Sequence, residues 1–272
     1  MTQRSLLDKQ AVARAFSNAA NGYDRIANIQ QKTGGHLLSL IDACGVKLKA
    51  GSRCLDLGAG TGRETRQLAK QLQPDMLVAL DIAPGMCQSV SNRLSCHTLQ
   101  ADFDSLPIVD NSMDLIFANL ALQWSDDLPK LLGNLRAVLS ASGVIAFNTL
   151  LQGSMQEIDA AWADLDDAEH TLDFARRDDI ENQLSSFFRI EKITVDRFVD
   201  THETIEETLQ SIRGIGASNH LSDRPKRTLT KMRYRRFLSA LEQKTLVRDI
   251  GHERAGEYGL TYNVLSAVCS KA

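Results

Sequence analysis

Leu55-Asp56-Leu57-Gly58-Ala59-Gly60-Thr61-Gly62 ends one apolar run and opens a helical one. Upstream, Arg53–Leu57 reads as a buried strand; downstream, Gly62 to Leu72 reads as a helix. Glycines at alternate positions permit left-handed backbone and let the main chain approach a ligand, and a helix N-terminus offers free N–H groups beside them. A plain strand-to-helix turn would use glycine in the same way, so the spacing has to identify the ligand. A dinucleotide turn, G-x-G-x-x-G, would need its third glycine at position 63, which is Arg63; the third glycine here is Gly62. Asp56, two residues before Gly58, would repel a pyrophosphate and suits an ammonium group. A ligand carrying both an amino acid and a nucleoside fits better than NAD, and S-adenosylmethionine is such a ligand.

Working outward, short apolar runs alternate with helical stretches. Met76–Leu80 reads as a second strand, with Pro84 well placed as the first helical residue after it. His97–Ala101 is a weaker third strand and Asp114–Ala118 a fourth; a helix near Asp126–Leu139 then leads to a fifth, Gly143–Thr149. Near-continuous apolar strands separated by helices predict a parallel sheet covered on both faces. Asp81 closes strand two, 19 residues after Gly62, where a carboxylate can accept both ribose hydroxyls. Ile82 would lie beside an adenine as an apolar wall. Asp102, after strand three, could accept the adenine amino proton, with Phe103 a second flat face. Each acid alone would serve equally as a helix cap or a solvated loop residue. In series at the ends of strands one, two and three, they point to the crevice where open α/β sheets bind ligands.

The rest of the chain sets limits. Its 272 residues are 43% hydrophobic and 24% charged, with 31 Lys+Arg against 34 Asp+Glu, a globular composition that does not indicate bulk nucleic-acid binding. No apolar run long enough for a membrane span occurs, and Met1–Phe16 lacks the apolar core of a secretory signal. Five cysteines without C-x-x-C spacing and six scattered histidines argue against a disulfide framework or a metal site, so a cytoplasmic location is expected. Residues 5–45 look helical with a break at Asn21-Gly22. Residues 154–185 are helical in pattern and acidic, Arg189–Val199 alternates like a strand, Glu203–Ile212 returns to helix, and Leu260–Cys269 reads as a final strand.

LDLGAGTG, LVALD, QADF and DLIFANLALQW together resemble a class I S-adenosylmethionine-dependent methyltransferase across residues 53–150. A narrower resemblance covers nearly the whole chain. Val12–Gln30 (VARAFSNAANGYDRIANIQ), Asn119–Trp124, Phe147–Ser154, Ile212–Asn219 and Leu260–Tyr262 are similar to the malonyl-acyl-carrier-protein O-methyltransferase (BioC) family of biotin synthesis. This likeness implies an α/β, Rossmann-like fold with a seven-stranded, mostly parallel sheet, an N-terminal helical lid and a helical insertion after strand five. One domain would span 1–272: N-terminal helices in 1–50, the cofactor core in 51–150, a cap and substrate or partner region in 151–259, and the last, reversed strand in 260–270. The implied reaction moves a methyl group from S-adenosylmethionine to the free carboxylate of malonyl-acyl-carrier protein. It leaves S-adenosylhomocysteine and a methyl ester that primes pimeloyl synthesis.

On that resemblance, Asp56, Gly58, Gly60, Gly62, Asp81, Ile82, Asp102, Phe103 and Asn119 would bind the cofactor. Tyr23 becomes a lid residue near the sulfonium, with Gln123 and Trp124 as positioning groups and no general base, because a carboxylate nucleophile is already ionised at neutral pH. Arg213, a forked donor beside flexible glycines, is the leading candidate for the malonyl carboxylate, and Lys231 the second. Residues 213–254 hold 11 Lys/Arg against 4 Asp/Glu. Arg224, Lys226, Arg227, Arg233, Arg235 and Arg236 could steer an acidic carrier protein, although such a run also suits a solvated helix face. The rival readings are another small-molecule methyltransferase acting on a quinone or a free dicarboxylic acid, an NAD-dependent oxidoreductase, which Arg63 disfavours, and a non-catalytic cofactor sensor or carrier-binding protein.

Overall fold

The computed structural model describes residues 7–165, 171–214, 230–246 and 257–271. Seven strands form one sheet in the order β3-β2-β1-β4-β5-β7-β6. They are β1 (Arg53–Leu57), β2 (Met76–Asp81), β3 (His97–Gln100), β4 (Met113–Asn119), β5 (Leu139–Leu150), β6 (Phe188–His202) and β7 (Tyr258–Lys271). The first five run parallel, and β7 pairs antiparallel with both β5 and β6.

The apolar runs follow from burial on both faces. On β4, Ile116 and Ala118 enter the cluster that includes Leu131, Leu132 and Leu135, whereas Leu115 and Phe117 enter the cluster that includes Leu37, Leu38 and Ile41. The first group of leucines belongs to α6 (Leu128–Val138) and the second to α3 (Asn28–Ala43), so helices seal opposite faces. Strand β5 starts earlier than Gly143 because Leu139 already pairs with Met113, the register then shifting so that Leu115 pairs with Val144 and the extra residues fall in β5.

The N-terminal stretch is α1 (Lys9–Ala19), α2 (Tyr23–Ile26) and α3, broken at the Asn21-Gly22 site. Asp8 caps α1 by accepting from Ala11 N at 2.8 Å. Helix α4 (Arg63–Leu72) follows the glycine loop, and Pro84 is the first residue of α5 (Pro84–Arg93). Between β5 and β6 lie α7 (Gln156–Ala163) and α8 (Arg177–Phe187); between β6 and β7 lie α9 (Ile205–Gly214) and α10 (Lys231–Thr245). Helices α7, α9 and α10 pack on β7, whereas α4 and α5 pack on β2 and α8 on β6. Helix α10 buries Phe237, Leu241 and Thr245 at four-residue spacing, with the Phe237 ring stacked on Trp162 of α7 at 4.3 Å. Among the described residues no helix is long and apolar enough to cross a membrane. All five cysteines are free; Cys54, Cys87 and Cys269 are buried, and burial pushes their thiols up to about 12, about 11 and about 12.

Candidate functional site

Strand order reverses between β1 and β4, so a crevice opens at their carboxyl ends. Gly58, Gly60 and Gly62 all take positive φ there (73°, 55° and 83°). Gly58 leaves no room for a side chain, since a Cβ would fall 2.7 Å from the Ala121 Cβ. Gly62 packs instead against Leu94 and Val90 of the α5 region, and lines neither cavity described below. Its left-handed conformation caps the start of α4, so of the three glycines only Gly58 and Gly60 border the cavities.

Two adjoining cavities share this crevice. The larger, about 1030 Å³ including its open mouth, is bordered by Gly58, Gly60, Asp81, Ile82, Asp102 and Phe103 on the β1–β3 side. The smaller, about 390 Å³ on the same measure, is bordered by Asp56, Glu64, Thr61 and Arg63. Tyr23, Gln30, Gly58, Gly60 and Asn119 line both. Asp81 and Asp102 therefore border one space and Asp56 the next, joined through the glycine loop. Asp81 holds that loop by accepting from Gly60 N (2.9 Å) and Ala83 N (2.8 Å). Asp102 caps the short turn at Phe103–Ser105 by accepting from Asp104 N at 3.0 Å.

The smaller cavity concentrates carboxylates. Burial is the main cause that pushes Asp56 up to about 7, against a 2.5 Å hydrogen bond donated by Thr65 Oγ1. Glu64 is likewise pushed up to about 7 by burial, and its Oε1 is buried with no partner among the described residues. Burial raises Asp81 to about 6 against three backbone N–H donors. Acids poised in this way favour a cationic group.

Residues of the N-terminal helices border the crevice. Asp24 of α2 accepts from Thr61 Oγ1 (2.5 Å) and from Arg93 (2.7 Å), while Arg63 donates to the Asp24 carbonyl (2.6 Å). Burial opposes ionisation of Asp24, but these hydrogen bonds and the two arginine charges hold its carboxyl below the usual range. Lys9 of α1 donates to Asp104 Oδ2 (2.8 Å) and the Trp124 carbonyl (2.7 Å), lies 3.5 Å from Asp102 and sits over the Phe103 ring. Asn119 borders both cavities with its amide already engaged. It donates to the Gln30 carbonyl (2.9 Å) and accepts from Thr33 and Asn148, both fully buried. That network ties α3 to β4 and β5; its members are far apart in the chain, and no local pattern announces them.

On the β4–β5–β7 side the larger cavity is mostly apolar. Leu120, Ala121, Leu150, Met155, Leu172 and Phe174 line it, with Gln123, Trp124 and Tyr262. Gln123 donates to the Leu120 carbonyl at 2.8 Å, and Trp124 meets Phe16 edge to face at 5.5 Å. Among the residues expected to hold the acceptor or its carrier, Lys231 is exposed on the first turn of α10 and lines neither cavity, so it joins Arg235 and Arg236 on an exposed basic face rather than a carboxylate site. Arg233 is partly buried. Arg213 lies in the last turn of α9, its side chain outside the described residues, as are Arg224, Lys226 and Arg227.

A family model for a methyltransferase domain matches residues 55–147. The chain is 33% identical to the malonyl-[acyl-carrier protein] O-methyltransferase of Gallionella capsiferriformans, across 96% of this chain and 90% of that protein. It is 32% identical to the protein of the same name from Salmonella typhimurium, across 97% and 98%. Among solved structures, the YcgJ protein of Bacillus subtilis superposes with a TM-score of 0.56 at 14% identity, covering 86% of this chain and 97% of that one. The geranyl diphosphate C-methyltransferase of Streptomyces coelicolor, solved with S-adenosyl-L-homocysteine, gives 0.52 at 10% identity, covering 88% and 76%. At these identities the solved structures share the fold.

Proposed function

This chain belongs to the malonyl-[acyl-carrier protein] O-methyltransferase family, and we propose that it moves the methyl group of S-adenosylmethionine to the free carboxylate of a malonyl thioester on an acyl-carrier protein. What carries this reading is one cavity with two unlike walls: Gly58, Gly60, Asp81 and Asp102 on one, and Leu150, Met155, Leu172 and Phe174 on the other. Strand order separates the walls, since β2 and β3 lie on one side of β1–β4 and β5 and β7 on the other.

The residues present suit the donor. Gly58 and Gly60 border the cavities with main chain alone, which lets the middle of the donor lie against the backbone, and Asp81 retains free lone pairs for ribose hydroxyls. Ile82 and Phe103 offer flat apolar contact to an adenine, and Asp56 with Glu64 meets an ammonium. When bound, S-adenosylmethionine supplies a methyl group activated on a sulfonium sulfur. Transfer of that methyl to a carboxylate oxygen would give the ester and S-adenosylhomocysteine, and the two walls of the cavity would have to hold donor and acceptor side by side. Because the carboxylate is ionised at neutral pH, the chain's tasks are to bind, orient and exclude water. Tyr23, Gln123 and Trp124 line the cavity where they can do so. Burial raises the Tyr23 hydroxyl well above its ordinary range, so it stays a neutral donor.

Arg213 remains the candidate cation for the acceptor carboxylate: Arg213→Ala should raise KM for the acidic substrate and spare the methyl donor. The exposed Lys231, Arg235 and Arg236 suit an acidic carrier protein, because α10 packs on α7, which starts beside the cavity residue Met155. Incubation with labelled donor and malonyl carrier protein tests the whole reading. Label should enter the carrier and leave as methanol in mild base; labelled quinol precursors or free dicarboxylic acids with an unlabelled carrier would overturn it.

A further inference from the structure

We propose that Tyr262 is the acceptor-side hydrogen-bond donor of this site, its hydroxyl binding one oxygen of the acceptor carboxylate. The inference rests on the methyl-transfer reading above.

Tyr262 lies on β7, only 2% exposed, and lines the larger cavity. Its hydroxyl is buried with no hydrogen-bond partner among the described residues. Buried phenols ordinarily find a partner, because an unpaired buried hydroxyl destabilises the fold. Several other donors on the cavity wall already serve acceptors within the protein. Gln123 Nε2 serves the Leu120 carbonyl, Asn119 Nδ2 the Gln30 carbonyl, and Lys9 Nζ both Asp104 and the Trp124 carbonyl. A carboxylate entering past Leu150, Met155, Leu172 and Phe174 loses its water and needs a replacement donor. Tyr262 belongs to that wall, and its buried hydroxyl is uncommitted among the described residues.

Its protonation suits the role. Burial first, then the charges of Asp200 and Glu157, hold the phenol far above its ordinary range, so it can only be a neutral donor near neutral pH. Neither carboxylate hydrogen-bonds the phenol: Asp200 Oδ2 lies 3.2 Å from His202 Nε2 without a hydrogen bond, and Glu157 accepts from Thr261 N at 3.2 Å. A neutral donor fixes one carboxylate oxygen without cancelling the charge that makes the other nucleophilic. It is a positioning group for the acceptor, with no proton to transfer.

The test is Tyr262→Phe in the full chain, read in three ways beside the wild type. With malonyl carrier protein, kcat/KM should fall about tenfold or more, mostly through KM. The Kd for S-adenosylhomocysteine should change less than about twofold, and Tm should hold or rise, because the deleted hydroxyl had no partner in the free protein. Unchanged kinetics, an equal loss of S-adenosylhomocysteine affinity, or a Tm several degrees lower would each overturn the assignment, the last by revealing a structural bond. A wild-type protein that binds S-adenosylhomocysteine yet methylates no malonyl thioester would sink the malonyl reading itself, and the inference with it; the wild-type and variant arms thus report on different claims.

Discussion

The two walls of the larger cavity meet similar backbone demands by opposite means. On the β1 side, left-handed conformations fall on Gly58 and Gly60, which adopt them without strain. On the β4–β5 side they fall on Leu120 (φ 49°) and Met155 (φ 55°), residues that adopt them only when their surroundings insist. Asn148 Oδ1 holds Leu120 N at 2.6 Å, and the Thr261 carbonyl holds Met155 N at 2.6 Å. One wall therefore brings bare main chain up to a ligand, and the other shapes space with large side chains fixed from behind.

The sharpest way to break the contrast is to give the glycine wall a side chain. Gly58→Val puts a branched Cβ at a positive φ, 2.7 Å from Ala121 Cβ. Affinity for S-adenosylhomocysteine should fall at least about a thousandfold, with Tm several degrees lower. Calorimetric titration and thermal melting check both; near-native affinity would mean that the loop does not approach the ligand. Next in size is Asp81→Asn, which keeps the shape and removes the charge behind the ribose contacts. We expect about a hundredfold loss in donor affinity with the acceptor KM little changed. A loss that fell on the acceptor instead would exchange the roles of the two walls.

The same contrast explains what could be read without coordinates. The glycine wall is local: a strand end, a turn and the acids at Asp56, Asp81 and Asp102 occupy short motifs whose spacing carries their meaning. The seven-stranded, mostly parallel sheet and its reversed β7 match the resemblance, because core strands buried on two faces leave near-continuous apolar runs. The apolar wall is assembled from Ile29, Leu150, Met155, Leu172, Phe174 and Tyr262, ordinary apolar or aromatic residues drawn from separate stretches of the chain. Glu64 looks like any acid in the first turn of a helix, and Lys9 like any solvated lysine; tertiary packing alone brings them to the cavities. Lys231 was misplaced for the converse reason. Its charge suggested a ligand, while the four-residue rhythm of Phe237 and Leu241 turns it outward.

That outward face offers a test that touches neither wall. Arg235→Glu with Arg236→Glu alters two exposed charges on α10. Methylation of the carrier-bound substrate should slow about thirtyfold at low salt, and the deficit should shrink as salt rises. A small malonyl thioester should react at the native rate. Equal losses on both substrates would show that α10 shapes the apolar wall instead of greeting a partner.

The smallest expected effect separates the walls by pH. Asp56 and Glu64 are pushed up to about 7, and Asp81 to about 6, by burial on the donor side. A carboxyl raised on folding binds its proton more tightly in the folded state, so the stability it contributes is full below the ordinary carboxylate range and is lost as pH rises through the folded value. The free protein should therefore lose stability between about pH 4 and pH 8 from these groups. A ligand bearing an ammonium reverses the preference, since it binds the ionised acids and expels their protons. S-adenosylhomocysteine affinity should accordingly rise about fivefold from pH 6 to pH 8, with proton release measurable by calorimetry in buffers of different ionisation enthalpy. Glu64→Gln should flatten part of that rise while leaving the KM for the acceptor untouched, because Glu64 borders only the smaller cavity. A pH-independent affinity in the native protein would mean that the ammonium group lies elsewhere and that the buried acids serve only the fold.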